Sequence, residues 1–233
     1  MPDAVAYAHA GTDLTGWLVR PEGAPRAAVV LYPTIANVNA AMERRAGMLA
    51  DAGYLVLIAD FYGRPVESFE AARPLAEALR ADVAHYRGRI AAAIETLRAR
   101  PEAAGLSMLG IGFCMGGQAV LEAMRDGQDL KVAVSFHGIL STDRPAARKA
   151  IAGRILVCHG DADPLVPRSQ VLGFWEEMDH AGAKWHFHAY ANVRHGFTDP
   201  ASDARGMDAL RYNASADRQA WAAMLELFDE VLA

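Results

Sequence analysis

Cysteine is scarce in this chain. Two occur in 233 residues, Cys114 and Cys158. So few leave no disulfide framework, and neither sits in a C-x-x-C or related spacing that builds a structural metal site. Basic runs are absent as well. The net charge is −5, with 23 Lys and Arg against 28 Asp and Glu, and no stretch gathers cations as a nucleic-acid-binding face does. No apolar run approaches the ~20 residues that cross a bilayer; "YLVLIADFY" (54–62) is among the longest. The opening "MPDAVAYAHAGTD" has neither the basic flank nor the apolar centre of a secretory signal. Repeats and low-complexity linkers are missing too. These absences predict a protein of the reducing cytoplasm. They predict neither nucleic acid nor membrane as a partner, no metal and no cofactor, and a monomer or small homo-oligomer.

What is present is apolar and regularly spaced. The hydrophobic fraction is 52%, enough for one sizeable core, and residues 1–233 are expected to form a single domain. Short β-rich runs occur at 16–21, 27–33, 54–60, 106–113, 131–138, 154–160 and 184–190. Helical patterns occupy 39–53, 77–100, 115–127, 168–182 and 215–232. Several strands read as continuous apolar runs, the mark of a strand covered on both faces. The alternation predicts an α/β fold with a mostly parallel sheet and helices on both sides. Such sheets bind ligands beyond the carboxyl ends of their strands, so the loops there carry the functional expectations.

Three of those loops hold reactive residue types. In "GIGFCMGGQ" (110–118), Cys114 stands between glycines, after a strand and before a helix. A nucleophile on a strained strand-to-helix turn needs small residues two before and two after it, and Gly112 and Gly116 hold those places. A helix N-terminus also favours thiolate over thiol. The N–H of Met115 would face the same space and stabilise an oxyanion. A phosphate loop is a poor match, because neither G-K-[ST] nor G-x-G-x-x-G is present. A purely structural glycine turn is the competing reading. In "HGDADPLVP" (159–167), Asp161 and Asp163 are each candidates to orient a histidine, although aspartates commonly serve turns and caps. His159 reads as a core histidine at a strand end. In "VRHGFTDP" (193–200), His195 follows a strand and precedes a glycine. His186 and His188 alternate within a strand and read as one face of it. Cysteine, aspartate and histidine in that order match the chain order of an α/β-hydrolase triad.

Taken together, "GYLVLIADFYG" (53–63), "GIGFCMGG" (110–117), "HGDADPLVP" (159–167), "HGFTDP" (195–200) and "YNASADRQAW" (212–221) resemble the dienelactone hydrolase family of α/β-hydrolases. The resemblance spans nearly the whole chain. It implies the α/β-hydrolase fold, with Cys114 as nucleophile, Asp163 as acid and His195 as base. Asp163 is preferred over Asp161 because the family's acid stands three residues before a Val-Pro pair, here Val166 and Pro167. The implied oxyanion donors are the backbone N–H groups of Met115 and Ile35. Two residues depart from the family pattern. Thr34 stands where members carry a glutamate that helps activate the cysteine, and Asp199 stands where the dienelactone enzymes carry an arginine that holds a substrate carboxylate. The second departure argues against a small anionic lactone. Thr34, Tyr62, Phe197 and Asp199 are expected to line the pocket, with Phe61 and Phe69 as further aromatic candidates and Arg64 or Arg73 as candidate cations. The expected activity is hydrolysis of a small-molecule ester or lactone through a thioester. The alternatives are a catalytically weak binding or regulatory module, and acyl transfer to an acceptor other than water.

Overall fold

A computed structural model describes residues 2–233. Eight strands form one sheet: β1 (Asp3–His9), β2 (Thr12–Val19), β3 (Ala27–Tyr32), β4 (Tyr54–Ile58), β5 (Met108–Phe113), β6 (Val132–Phe136), β7 (Arg154–Gly160) and β8 (Lys184–Tyr190). Their order across the sheet is β1-β2-β4-β3-β5-β6-β7-β8. β2 runs antiparallel to both its neighbours, and every pairing from β4 to β8 is parallel.

Six helices cover the sheet: α1 (Ala40–Asp51), α2 (Phe69–Ala81), α3 (Val83–Arg98), α4 (Met115–Arg125), α5 (Arg168–Ala181) and α6 (Ala214–Leu232). Every residue of β3, β4, β5 and β6 is buried. Alternate residues of β3 and β4 explain why. Val29, Leu31, Val56 and Ile58 share a core with Met42 and Leu49 of α1 and with Met224 and Phe228 of α6. Val30, Tyr32, Leu55 and Leu57 share the other core with Ile90 of α3, Val120 of α4 and Phe174 of α5.

Several expectations need correction. The chain begins with a hairpin, β1 and β2, rather than with a first strand at 16–21. Its turn is Ala10 and Gly11, both with positive φ. The pattern from 77 to 100 is two helices, because Asp82 adopts an extended backbone and its carboxylate accepts the N–H groups of Ala84 and His85, starting α3 afresh. The stretch before it, which carried no element in the sequence pattern, is the first half of α2. β6 also ends at Phe136, and His137 leaves it with φ 41°.

The late segment "YNASADRQAW" fastens α6 to the sheet. Asn213 caps α6 through the N–H of Ala216. Asp217 pairs with the buried guanidinium of Arg45 on α1, and Arg45 also lies 4.9 Å over the Trp221 ring. Arg45 then donates at 2.6 Å to the carbonyl of Thr198, three residues past His195.

Candidate active site

Cys114 lies between β5 and α4 with φ 56° and ψ −117°. A non-glycine residue rarely holds a positive φ, and such strain persists only where the surroundings enforce it. The enforcement is close backbone contact. A Cβ on Gly112 would collide with the Gly116 carbonyl, and one on Gly116 would collide with the carbonyl of Tyr32 at the end of β3. The two glycines let the turn close onto the neighbouring strand and leave the sulfur partly exposed at the helix start.

The ends of β7 and β8 bring the other two residues to it. His195 and Asp163 are both buried, and His195 Nδ1 meets Asp163 Oδ2 at 2.7 Å. The other Asp163 oxygen accepts the N–H of Leu165 at 2.8 Å. Asp161 points elsewhere and pairs with Arg168 at 2.6 Å on the surface. The second imidazole nitrogen of His195 is buried without a hydrogen-bond partner, and His195 and Cys114 border the same two hollows.

Electrostatics couple the sulfur and the imidazole. Burial alone raises the Cys114 thiol, but the His195 charge and the nearby N–H groups of Met115 and Ile35 outweigh it and bring the thiol below its ordinary value. Burial alone favours a neutral His195, but the Cys114 charge and the Asp163 carboxylate outweigh it and raise the imidazole. Both directions favour a thiolate facing an imidazolium. Cys158, by contrast, is buried in β7, and burial pushes its thiol up to about 12.

Two hollows meet at Cys114 and His195. The larger, about 410 Å³, is walled by Ile35, Phe69, Met115, Ile139, Leu165, Met207 and Leu210. Four charged residues of α2 also reach it, Glu70, Arg73, Glu77 and Arg80, two of each sign. The smaller, about 30 Å³, is bounded by Thr34, Met42, Phe69, Phe113, Asp199 and Arg205, among others.

The remaining expected residues are placed as follows. Thr34 borders the small hollow, but its hydroxyl accepts the N–H of Ala36 at 3.3 Å and so stiffens the turn that carries Ile35. Asp199 borders the same hollow, yet its charge is matched by Arg205 at 2.5 Å, and Arg205 stacks on Phe69 at 4.7 Å. Tyr62 lines neither hollow, which corrects its expected place in the pocket wall; its hydroxyl lies 3.5 Å from the Met115 sulfur. Phe197 is fully buried in the core with Tyr190 and His137 and lines neither hollow, which corrects its expected place in the pocket wall. Phe61 is buried as well, whereas Phe69 borders both hollows. Arg64 lies in a separate hollow beside Trp17 and Asp60. His159 is buried next to Phe187, while His186 and His188 lie on the exposed face of β8. Among the described residues, no three His, Cys, Asp or Glu side chains are grouped to hold a metal ion. No helix among them is long and apolar enough to cross a membrane.

One residue of the site was not anticipated. His137, just past β6, is buried against His195, with ring centroids 4.9 Å apart. In the sequence it is only a histidine near the end of an expected strand, the same signal that His159 gives, and nothing local separates the two.

Comparison with known proteins identifies the family of the chain. The dienelactone hydrolase family model matches residues 14–232. The solved structure of m3DLH is 38% identical and superposes with a TM-score of 0.94, covering 100% of this chain and 99% of its own. A dienelactone hydrolase-like promiscuous phosphotriesterase from metagenomic libraries is 33% identical with a TM-score of 0.93, covering 99% of this chain and 98% of its own. A probable 2-oxo-3-(5-oxofuran-2-ylidene)propanoate lactonase from Bradyrhizobium sp is 26% identical over 226 residues, 91% of this chain and 87% of that protein. This chain therefore belongs to the dienelactone hydrolase family and carries its α/β-hydrolase fold.

Proposed function

We propose that this hydrolase cleaves a small, uncharged ester or lactone through Cys114, with His195 as its acid and base and Asp163 orienting His195. The observation that carries the proposal is that Cys114, His195, Ile35 and Met115 border one hollow, with the His195 imidazole held by Asp163 at 2.7 Å.

The thiolate attacks the substrate carbonyl and forms a carbon–sulfur bond while the carbonyl electrons move to oxygen. The N–H groups of Ile35 and Met115 stabilise that oxyanion, each by about 3 kcal/mol as measured for comparable donors. The intermediate collapses, the carbon–oxygen bond to the alcohol breaks, and His195 gives the leaving oxygen its proton. A thioester remains on Cys114. Water then attacks it, His195 takes the water's proton, and the thiolate leaves as the acid is released. No glutamate is needed to start the cycle, because the Cys114–His195 pair already favours the thiolate.

The walls support an uncharged substrate. Arg205 neutralises Asp199, and the two arginines that α2 brings to the larger hollow are matched in number by two glutamates of the same helix, so the charged side chains of each wall sum to zero. A phosphotriester is likewise uncharged, and the relative with that promiscuous activity resembles this chain over nearly its full length. Phosphotriesters therefore form a second candidate class.

The test mixes protein with p-nitrophenyl acetate, quenches in acid and locates the added acetyl group by peptide mass spectrometry. The expected result is one acetyl on Cys114, none on Cys158, and none in Cys114→Ala. Acetylation of the Cys114→Ala protein at the wild-type rate would overturn the assignment. Paraoxon in the same assay distinguishes the second class by a phosphoryl adduct on Cys114. Iodoacetamide labelling of Cys114 without turnover of any ester, lactone or triester would instead favour the binding module. An acetyl group released only when an added thiol or amine accepts it would favour transfer.

A further inference from the structure

One polar side chain outside the three proposed residues, His137, hydrogen-bonds to two loops of the site. Its Nδ1 lies 3.1 Å from the backbone nitrogen of Cys114, whose N–H it accepts alongside the Phe136 carbonyl at 3.0 Å. A ring nitrogen that accepts an N–H carries no proton, so the neutral ring has its hydrogen on Nε2. That nitrogen lies 2.9 Å from Thr198 Oγ1 and donates to it. One planar ring thus joins the turn that presents the sulfur to the loop that presents His195. The ring also packs edge-on against His195 at 4.9 Å and against Phe197 at 5.3 Å. Its backbone holds φ 41°, a second positive φ in one site, which places local strain where the ring is needed.

We propose that His137 is a positioning residue, a neutral bridge that fixes the distance and angle between the Cys114 sulfur and the His195 imidazole. The role rests on the reading of Cys114 as the reacting thiolate. Burial, the His195 charge and the Arg45 charge all hold His137 neutral, and this keeps Nδ1 free to accept. The bridge is anchored at its far end, because the carbonyl of Thr198 is gripped by Arg45, itself paired with Asp217. Hydrogen bonds therefore run from α6 through α1 to the cysteine backbone.

The substitutions separate the two ends of the ring. Asparagine places its carbonyl oxygen where Nδ1 stands and tolerates a positive φ, so His137→Asn keeps the cysteine end. Glutamine places its nitrogen near Nε2, so His137→Gln keeps the Thr198 end. His137→Phe keeps the shape and neither bond. Thr198→Val removes the far partner without touching the ring. The readout is the pH profile of Cys114 alkylation by iodoacetamide, followed by mass spectrometry with thermal unfolding as the control for folding. The charged and titratable groups facing the pair are Asp163 and His159 near β7, Arg45 of α1, Tyr62 after β4, Tyr86 of α3, Glu70, Arg73, Glu77 and Arg80 of α2, and the Asp199–Arg205 pair. All are unchanged across the set.

His137→Phe is expected to move the alkylation midpoint up by about one pH unit, a tenfold loss of thiolate preference. Thr198→Val and His137→Gln should move it in the same direction, and His137→Asn should move it less than Phe. Where His137→Phe does not fold, Thr198→Val and the Asn–Gln pair decide between the outcomes. Folded variants that all keep the wild-type midpoint overturn the bridge. Alkylation needs no substrate, so a shifted midpoint in a protein that turns over no ester, lactone or triester upholds the bridge and overturns the proposed reaction.

Discussion

Gly47 and Gly112 answer the same substitution in opposite ways. Gly47 lies inside α1 with nothing within 4 Å of an added Cβ, so Gly47→Ala should stabilise the protein by about 0.5–1 kcal/mol through helix propensity alone. For a chain of this size that is a rise in Tm of about 2–4 °C for each kcal/mol. Gly112→Ala drives its Cβ into a backbone carbonyl that cannot turn aside, and should lower Tm by far more or prevent folding. Equal melting curves for the two variants would refute this account of the turn. The glycines illustrate what single residues disclose. The frame around Cys114 was legible because the constraint is written within five positions of sequence, and His195 because it stood alone after a strand. The choice between Asp161 and Asp163 was not decided by residue type, since it depends on which carboxylate the β7 turn aims inward. His137 was illegible for the same reason: its role exists only where the end of β6 meets the His195 loop.

At the scale of elements, the decisive contact is the one between α1, α6 and the loop after His195. Arg45 and Asp217 form a pair with side chains 3% and 10% exposed. Removing one partner leaves a buried charge unmatched, which costs about 3–5 kcal/mol. Asp217→Asn should therefore lower the urea midpoint strongly, whereas Glu95→Gln, which breaks an exposed pair with Arg98, should change stability by under about 1 kcal/mol. Similar losses from both would show that Arg45 is not held by charge. The central strands were readable because burial on two faces leaves an unbroken apolar run. The first hairpin was not, because the exposed positions of β1 after Asp3 are alanines, which contrast little with the inward-facing Val5 and Tyr7. The break at Asp82 was hidden by good helix formers on both sides, and only the capping geometry of one carboxylate ends one helix and begins the next.

Across the whole molecule, several histidines share one fate. His137 and His159 are buried, and burial is the leading cause that lowers both below the ordinary histidine value. The unfolded chain binds their protons first as pH falls, so the stability they permit is complete above about 6.5 and is lost as pH falls toward their folded values. His195 works in the opposite direction, since its folded value is raised. His159 has no hydrogen-bond partner on either ring nitrogen. His159→Leu should therefore flatten the fall in urea midpoint between about pH 7 and pH 5. An unchanged slope would assign acid lability to the carboxylates instead. The hydrogen bonds from Asp217 to Cys114 also bear on synthesis. A ribosome makes a chain from its amino end, so Cys114 emerges long before Asp217. The thiol is present throughout that interval, but the helix that fastens Arg45, Thr198 and His137 in turn has not yet appeared. On the bridge proposed for His137, a nascent chain carries an ordinary cysteine, and the sulfur gains its full reactivity only as α6 docks.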